Sequence, residues 1–180
     1  MVTAQIDGAA ITDLLHWSLS QSDRAVSIKA GDIAGYVSKD GQRFGSDAYF
    51  DGGAPHGVNP PDMAPRDRIT VLADDERLYD SFREGEFSYR VPLPNGRYRV
   101  QLKFAEPTAT GPGERVFDVT ANGVTQLREF DILKAAGGRL KGVDQFFDAA
   151  VDHGILVLAF RPRRGSALVS ALSITPLAPR

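Results

Sequence analysis

The chain contains no cysteine. That absence removes disulfide staples, thiolate nucleophiles and cysteine-ligated zinc together. Histidine is scarce: His16 lies in a segment of helical apolar spacing, His56 among prolines and His153 in a turn. No two of them share the i, i+3 or i, i+4 spacing that sets a metal-binding pair on one helix face. Neither sign of charge dominates, with 21 Lys+Arg against 23 Asp+Glu and a net charge of −2. No block of like charge stands out apart from Arg161, Arg163 and Arg164, which is far from the basic face of a nucleic-acid binder. No run approaches the roughly 20 apolar residues that cross a bilayer, so neither nucleic acid nor membrane is an expected partner. Residues 1–7 lack the basic start and apolar run of a secretory leader. The expectation is either a cytoplasmic protein or a secreted or periplasmic domain belonging to a larger one.

Catalytic motifs are missing too. There is no Gly-x-Ser-x-Gly elbow and no Walker loop. Gly111-Pro112-Gly113 superficially suggests a phosphate loop, but proline has no N–H to donate and no helical pattern follows. Carboxylates are plentiful, among them Asp74, Asp75, Glu84, Glu106, Glu114 and Asp118. A glycosidase pair needs two at a fixed separation, which spacing along the chain cannot supply. Asp32, Asp40, Asp47 and Asp51 thread a glycine-rich stretch. They could offer oxygens to calcium, yet the spacing is not that of an EF-hand, and Asp beside Gly ordinarily makes Asx-turns. No cofactor is expected.

What is present is a pattern of strands. A length of 180 residues suffices for one domain whose core needs no staples. Residues 9–19 carry Ile11, Leu14, Leu15 and Leu19 at helical spacing, predicting a short amphipathic helix. It either packs on the domain or connects it to a neighbour, and Trp17 on it reads as packing. Residues 1–24 are therefore expected to be an appendage or linker, and 25–180 the domain. From Ala25 the period changes to two. Residues 31–53 read as loops with brief extended pieces, and residues 55–65, with Pro55, Pro60, Pro61 and Pro65, as an irregular surface loop. Three hairpins are predicted, turning at Asn95-Gly96, at Asn122-Gly123 and at Asp152-His153-Gly154. Residues 155–160, apolar at every position, suit a strand in the middle of a sheet covered on both sides. Residues 168–177 supply a last strand. The fold expected is an all-β antiparallel sandwich or jelly roll with a short N-terminal helix.

Several motifs in fixed order carry a resemblance. Leu78-Tyr79 with Arg83, then Gly85-Glu86-Phe87-Ser88-Tyr89, lead into Val91-Pro92-Leu93-Pro94-Asn95-Gly96-Arg97-Tyr98. Leu102-Lys103-Phe104-Ala105-Glu106 and Arg115-Val116-Phe117-Asp118-Val119 follow, and the chain closes through Phe130-Asp131-Ile132 and Ser170-Ala171-Leu172-Ser173-Ile174. This set resembles the malectin family over about residues 26–177. The resemblance implies a β-sandwich whose loops at one end hold sugars without transforming them. In bacterial relatives such a module is attached to glycoside hydrolases. The family's sugar site has aromatics just after the Phe-Ala-Glu strand end, another shortly after the Leu-Tyr pair, and an aspartate before the last strand. This chain has Pro107-Thr108-Ala109, Glu84 and about Gly165 there.

Sugars are held by flat aromatic faces and by fixed polar groups that meet their hydroxyls. Asp47 and Tyr49, beside Phe50 and Asp51, offer one such mixture. Tyr79, Phe82 and Arg83 offer a second, and Glu106 stands where a strand enters a loop. Asp47, Tyr49, Tyr79, Phe82, Arg83 and Glu106 are the candidate sugar contacts. Each has a structural alternative: Tyr79 and Phe82 as core or sheet-edge residues, Arg83 as a bridge between loops. The expected function is non-catalytic binding of an oligosaccharide or polysaccharide beside a neighbouring catalytic domain. The competing reading is a structural or protein-interaction sandwich without a working sugar site.

Overall fold

The computed structural model describes residues 25–59 and 70–178. The expected N-terminal helix lies outside them. Two antiparallel sheets stack face to face. One has four strands in the order β1 (Val26–Lys29), β12 (Ala171–Pro176), β6 (Gly96–Phe104), β9 (Val143–Val151). The other runs β11 (Ala167–Val169), β5 (Ser81–Pro92), β10 (Ile155–Arg164), β7 (Val116–Ala121), β8 (Val124–Phe130), with β4 (Phe50–Gly57) also on β5. A two-stranded ribbon, β2 (Tyr36–Val37) with β3 (Arg43–Phe44), stands apart.

Side-chain alternation fixes the inner faces. Tyr98, Val100, Leu102 and Phe104 of β6 meet Phe87, Tyr89 and Val91 of β5 and Leu156, Leu158 and Phe160 of β10 in one core. Phe160 stacks on Phe87 with centroids 4.5 Å apart, and Phe104 lies 4.9 Å from Phe130. Each such side chain contributes about 1.5–3 kcal/mol by leaving water, which is why no disulfide is needed. The central place expected for residues 155–160 is observed: β10 lies between β5 and β7. Its outward Val157 and Ala159 are half-buried rather than fully covered.

Only one of the three expected hairpins forms. β7 and β8 pair through Asn122 and Gly123, whose φ angles of 47° and 82° fit the tight turn that matches strand twist. The other two turns are arches between sheets. β5 pairs with β10, β11 and β4, whereas β6 pairs with β12 and β9. The chain therefore crosses layers at residues 93–95, and again at residues 152–154. The two arches bond to each other instead: Leu93 N donates to Gly154 O at 2.9 Å, and Gly154 N donates to Asn95 Oδ1 at 2.9 Å. A turn motif reverses the chain, but burial of both inner faces chooses the partner strand.

Two further expectations change. Pro55, His56 and Gly57 belong to β4 rather than to a loop. Proline is tolerated there because β4 is an edge strand. Residues 168–177 are not one strand but two, since Ala167–Val169 pairs with β5 and Ala171–Pro176 with β1 and β6. Ser170, fully buried between them, is where the chain changes layers.

Asp118 holds the far end of the β7–β8 pair. Its carboxylate accepts from Arg163 at 2.6 and 2.9 Å and from Glu129 N at 2.7 Å, and the Arg163 and Glu129 bonds hold its pKa below the ordinary value. A depressed folded pKa stabilises above the unfolded value near 4. That contribution is lost as pH falls through the lower folded value. Thermal melts at pH 7 and pH 3 are expected to show a smaller acid-induced loss for Asp118→Asn than for the native chain.

Candidate functional site

The expected sugar contacts fall into three places. The first is a buried ionic hub under β4. Asp47 accepts from Arg83 at 2.8 and 3.0 Å, from Tyr89 Oη at 2.8 Å and from Gly31 N at 2.7 Å. Side-chain exposure is 5% for Asp47 and 3% for Arg83. Burial, then Asp47 itself, pushes the Tyr89 hydroxyl well above its ordinary pKa, so it remains a donor. Arg83 also donates to the carbonyls of Gly52 and Gly53 and lies 3.4 Å over the Phe50 ring. Gly53 has a φ of +64°, and a Cβ there would stand 2.9 Å from Glu84 O; the bulge in β4 needs glycine. Phe82 is core, with His56 stacked on it. Tyr49 is half exposed at the start of β4.

The second place is a rim hollow. Glu106 is fully buried and accepts from Arg115 Nε at 2.6 Å and from the backbone N–H groups of Thr108 and Ala109. Arg115 reaches Glu84 at 2.7 Å as well, and Ser166 Oγ donates to Glu84. Burial raises the Glu84 carboxyl, but its bonds to Ser166 and Arg115 outweigh that and hold it below the ordinary value. Thr108, Arg115, Gly165 and Ser166 line a hollow of about 280 Å³. The positions where the family places its aromatics and aspartate thus do converge, around polar groups already bonded to one another.

The third place is a cleft on the outer face of the four-stranded sheet, near the end of β6. A small second core forms there from Phe44, Leu78, Tyr79, Ala105 and Ala171, under the β2–β3 ribbon and a 3₁₀ turn (Glu76–Tyr79). Lys39 joins these two segments, its Nζ donating to Glu76 Oε2 and Asp74 O and its N–H to Asp75 Oδ2. Gln42 reaches down to Ser27 and Ser173, both at 2.8 Å. The sheet supplies Asp144, which accepts from Tyr79 Oη, Gln101 Nε2 and Lys103 Nζ, all at 2.7 Å. Burial, then Asp144, pushes the Tyr79 hydroxyl far up, in keeping with its role as donor to Asp144. Gly142 lets the ring in: a Cβ there would sit 3.0 Å from Tyr79 Cζ. The cleft holds about 540 Å³, within the range of small-ligand sites. Gln101 Oε1, Asp40 Oδ2 and the Asp74 carboxylate have no hydrogen-bond partner among the described residues.

Of the expected contacts, Asp47 and Arg83 meet each other, Glu106 meets Arg115, and Tyr79 alone lines this cleft. Gln101, Lys103 and Asp144 escaped sequence reasoning. Outward alternation along β6 marks the first two, but Lys103 lies opposite Asp144 only because β6 pairs with β9, which the expected hairpins hid. The calcium reading meets a different use of the same acids. Asp32 accepts from Ala34 N and Asp40 from Gln42 N, both Asx-turns, while Asp47 takes Arg83.

A two-layer β-sandwich with a polar, ligand-sized cleft on one outer face is the architecture of a binding domain. The chain belongs to the malectin domain family, whose model matches residues 24–174, a family of non-catalytic binding modules. It is 37% identical over 84 residues to Receptor-like protein 4 of Arabidopsis thaliana, covering 45% of this chain and 13% of that protein. A β-glucuronidase of Bacteroides uniformis superposes with a TM-score of 0.71 at 16% identity, over 86% of this chain and 18% of that one. The plant protein FER, in complex with the peptide RALF23 and LLG2, superposes with a TM-score of 0.69 at 18% identity, over 83% and 47%. The two structures share the fold, and this chain spans under half of each of these proteins.

Proposed function

We propose that this domain is a non-catalytic carbohydrate-binding module and that its sugar sits in the cleft over Tyr79. One observation carries the reading: Tyr79 Oη, Gln101 and Lys103, which line the cleft, are all held in place by the Asp144 carboxylate over the buried core of Phe44 and Leu78. Sugar hydroxyls suit the Gln101, Asp74 and Asp40 acceptors and the remaining Lys103 N–H groups. Because Asp144 fixes Tyr79, Gln101 and Lys103 beforehand, little side-chain freedom is lost on binding. Asp47, Arg83, Phe82 and Glu106 serve as frame in this reading, and Tyr49 lies outside the site. The module acts as part of a larger, exported protein. A glycoside hydrolase partner is supported by the presence of the same fold in a β-glucuronidase.

Titration with a panel of oligosaccharides, followed by nuclear magnetic resonance, tests it. Shifts should centre on Tyr79, Gln101 and Lys103. Gln101→Leu and Tyr79→Phe should each weaken binding about threefold to tenfold, and Tyr49→Ala should leave it unchanged. Silence towards every sugar at millimolar concentration would remove the proposal.

A second reading has its own support. All eight residues of β4 are exposed and its outer edge is unpaired among the described residues. An open edge can accept an added peptide strand, and FER, of the same fold, was solved with a peptide. Peptide binding that Gln101→Leu leaves intact would favour this reading.

A further inference from the structure

The outer face of the four-stranded sheet continues past the cleft, and its register puts an aromatic ring there. Lys103 pairs with Asp144, Gln101 with Phe146 and Arg99 with Asp148, so all six side chains share one face. Phe146 is 57% exposed, while its neighbour Phe147 packs against the core. Phe146 stands directly across from Gln101, which lines the cleft. Beyond it, Arg99 and Arg97 both reach Asp148, beside a second hollow of about 660 Å³ that Pro176 and Leu177 help to line. Lys103 to Arg97 is six residues of strand, or about 20 Å. That is longer than one sugar ring. Along it Lys103 meets Asp144, and Arg99 and Arg97 share Asp148, so both signs alternate, no run of one sign selects an ionic ligand and a neutral polyol loses little.

We infer that the cleft is one end of a linear track, and that its ligand is an unbranched neutral oligosaccharide of several units stacked over Phe146 rather than a single terminal sugar. This rests on the sugar-binding reading above. The ring of Phe146 takes the flat face of a sugar next to the one seated over Tyr79, and the Arg99–Asp148 pair meets hydroxyls further along.

Isothermal titration with neutral sugars of rising length, from mono- to hexasaccharide, tests it on the native chain and on Phe146→Ala. Affinity of the native chain should rise with length. Phe146→Ala should lose about threefold to tenfold for sugars of two units or more and keep its monosaccharide affinity. An exposed ring is not needed for folding, and an unchanged melting curve would confirm that the variant is intact. Affinity that is flat with length, or a length gain that survives Phe146→Ala, would overturn the track and leave the cleft standing. Binding of no sugar at all would overturn both.

Discussion

Arg83→Met is expected to destabilise the domain by about 3–5 kcal/mol, read as a lower midpoint in chemical denaturation with the slope unchanged. The cause is the carboxylate left behind. The Asp47 side chain is almost wholly buried and takes from Arg83 both its ion pair and one of its three hydrogen bonds. Without the guanidinium its charge has only the Tyr89 hydroxyl and the Gly31 N–H to meet it. Such a charge costs more to bury than the lost contact itself is worth. Asp47→Asn in the same chain should therefore recover part of the loss, so the double variant should be more stable than the sum of the singles predicts. Strict additivity would mean that the two groups do not act as a pair. The loss should reach β4 first, because Arg83 also holds the carbonyls of Gly52 and Gly53; faster amide exchange in residues 50–57 is the local readout.

Glu106→Ala is expected to cost a similar amount, about 3–5 kcal/mol, by removing the buried partner of Arg115 and the acceptor for Thr108 N and Ala109 N. Glu106→Gln keeps an acceptor for those two N–H groups and should cost less, about 1–3 kcal/mol. Thermal denaturation of the two variants checks the order. Where either remains folded, sugar affinity should match the native chain, because the Glu106 side chain has no exposure to solvent. Sugar binding lost from a folded Glu106→Gln would move the site from the cleft to the rim hollow.

The difference between the Glu106 rim and the Tyr79 cleft shows how far the chain could be read in one dimension. The strand end at Phe104 and the polar residue following it are visible in the sequence. That Glu106 is sealed by Arg115, nine residues on, depends on where the intervening loop folds back. Tyr79 was visible as an aromatic in a loop, but Asp144, which fixes its hydroxyl, is 65 residues away. Asn122-Gly123 is legible as a hairpin because these residue types accept the positive φ values that the tight turn requires. Asn95-Gly96 has the same letters and makes an arch, its side chain bonded to Gly154.

Period-two alternation, turn residues and the lack of cysteine determined by themselves that this chain is a disulfide-free antiparallel sandwich, because each depends only on neighbours along the chain. Partner strands, and with them the cleft, were decided by the tertiary structure alone. Antiparallel strands with similar inner faces are locally interchangeable, and only closing both sheets over one core selects β9 rather than β5 to lie beside β6. That choice sets Asp144 and Phe146 next to Lys103 and Gln101.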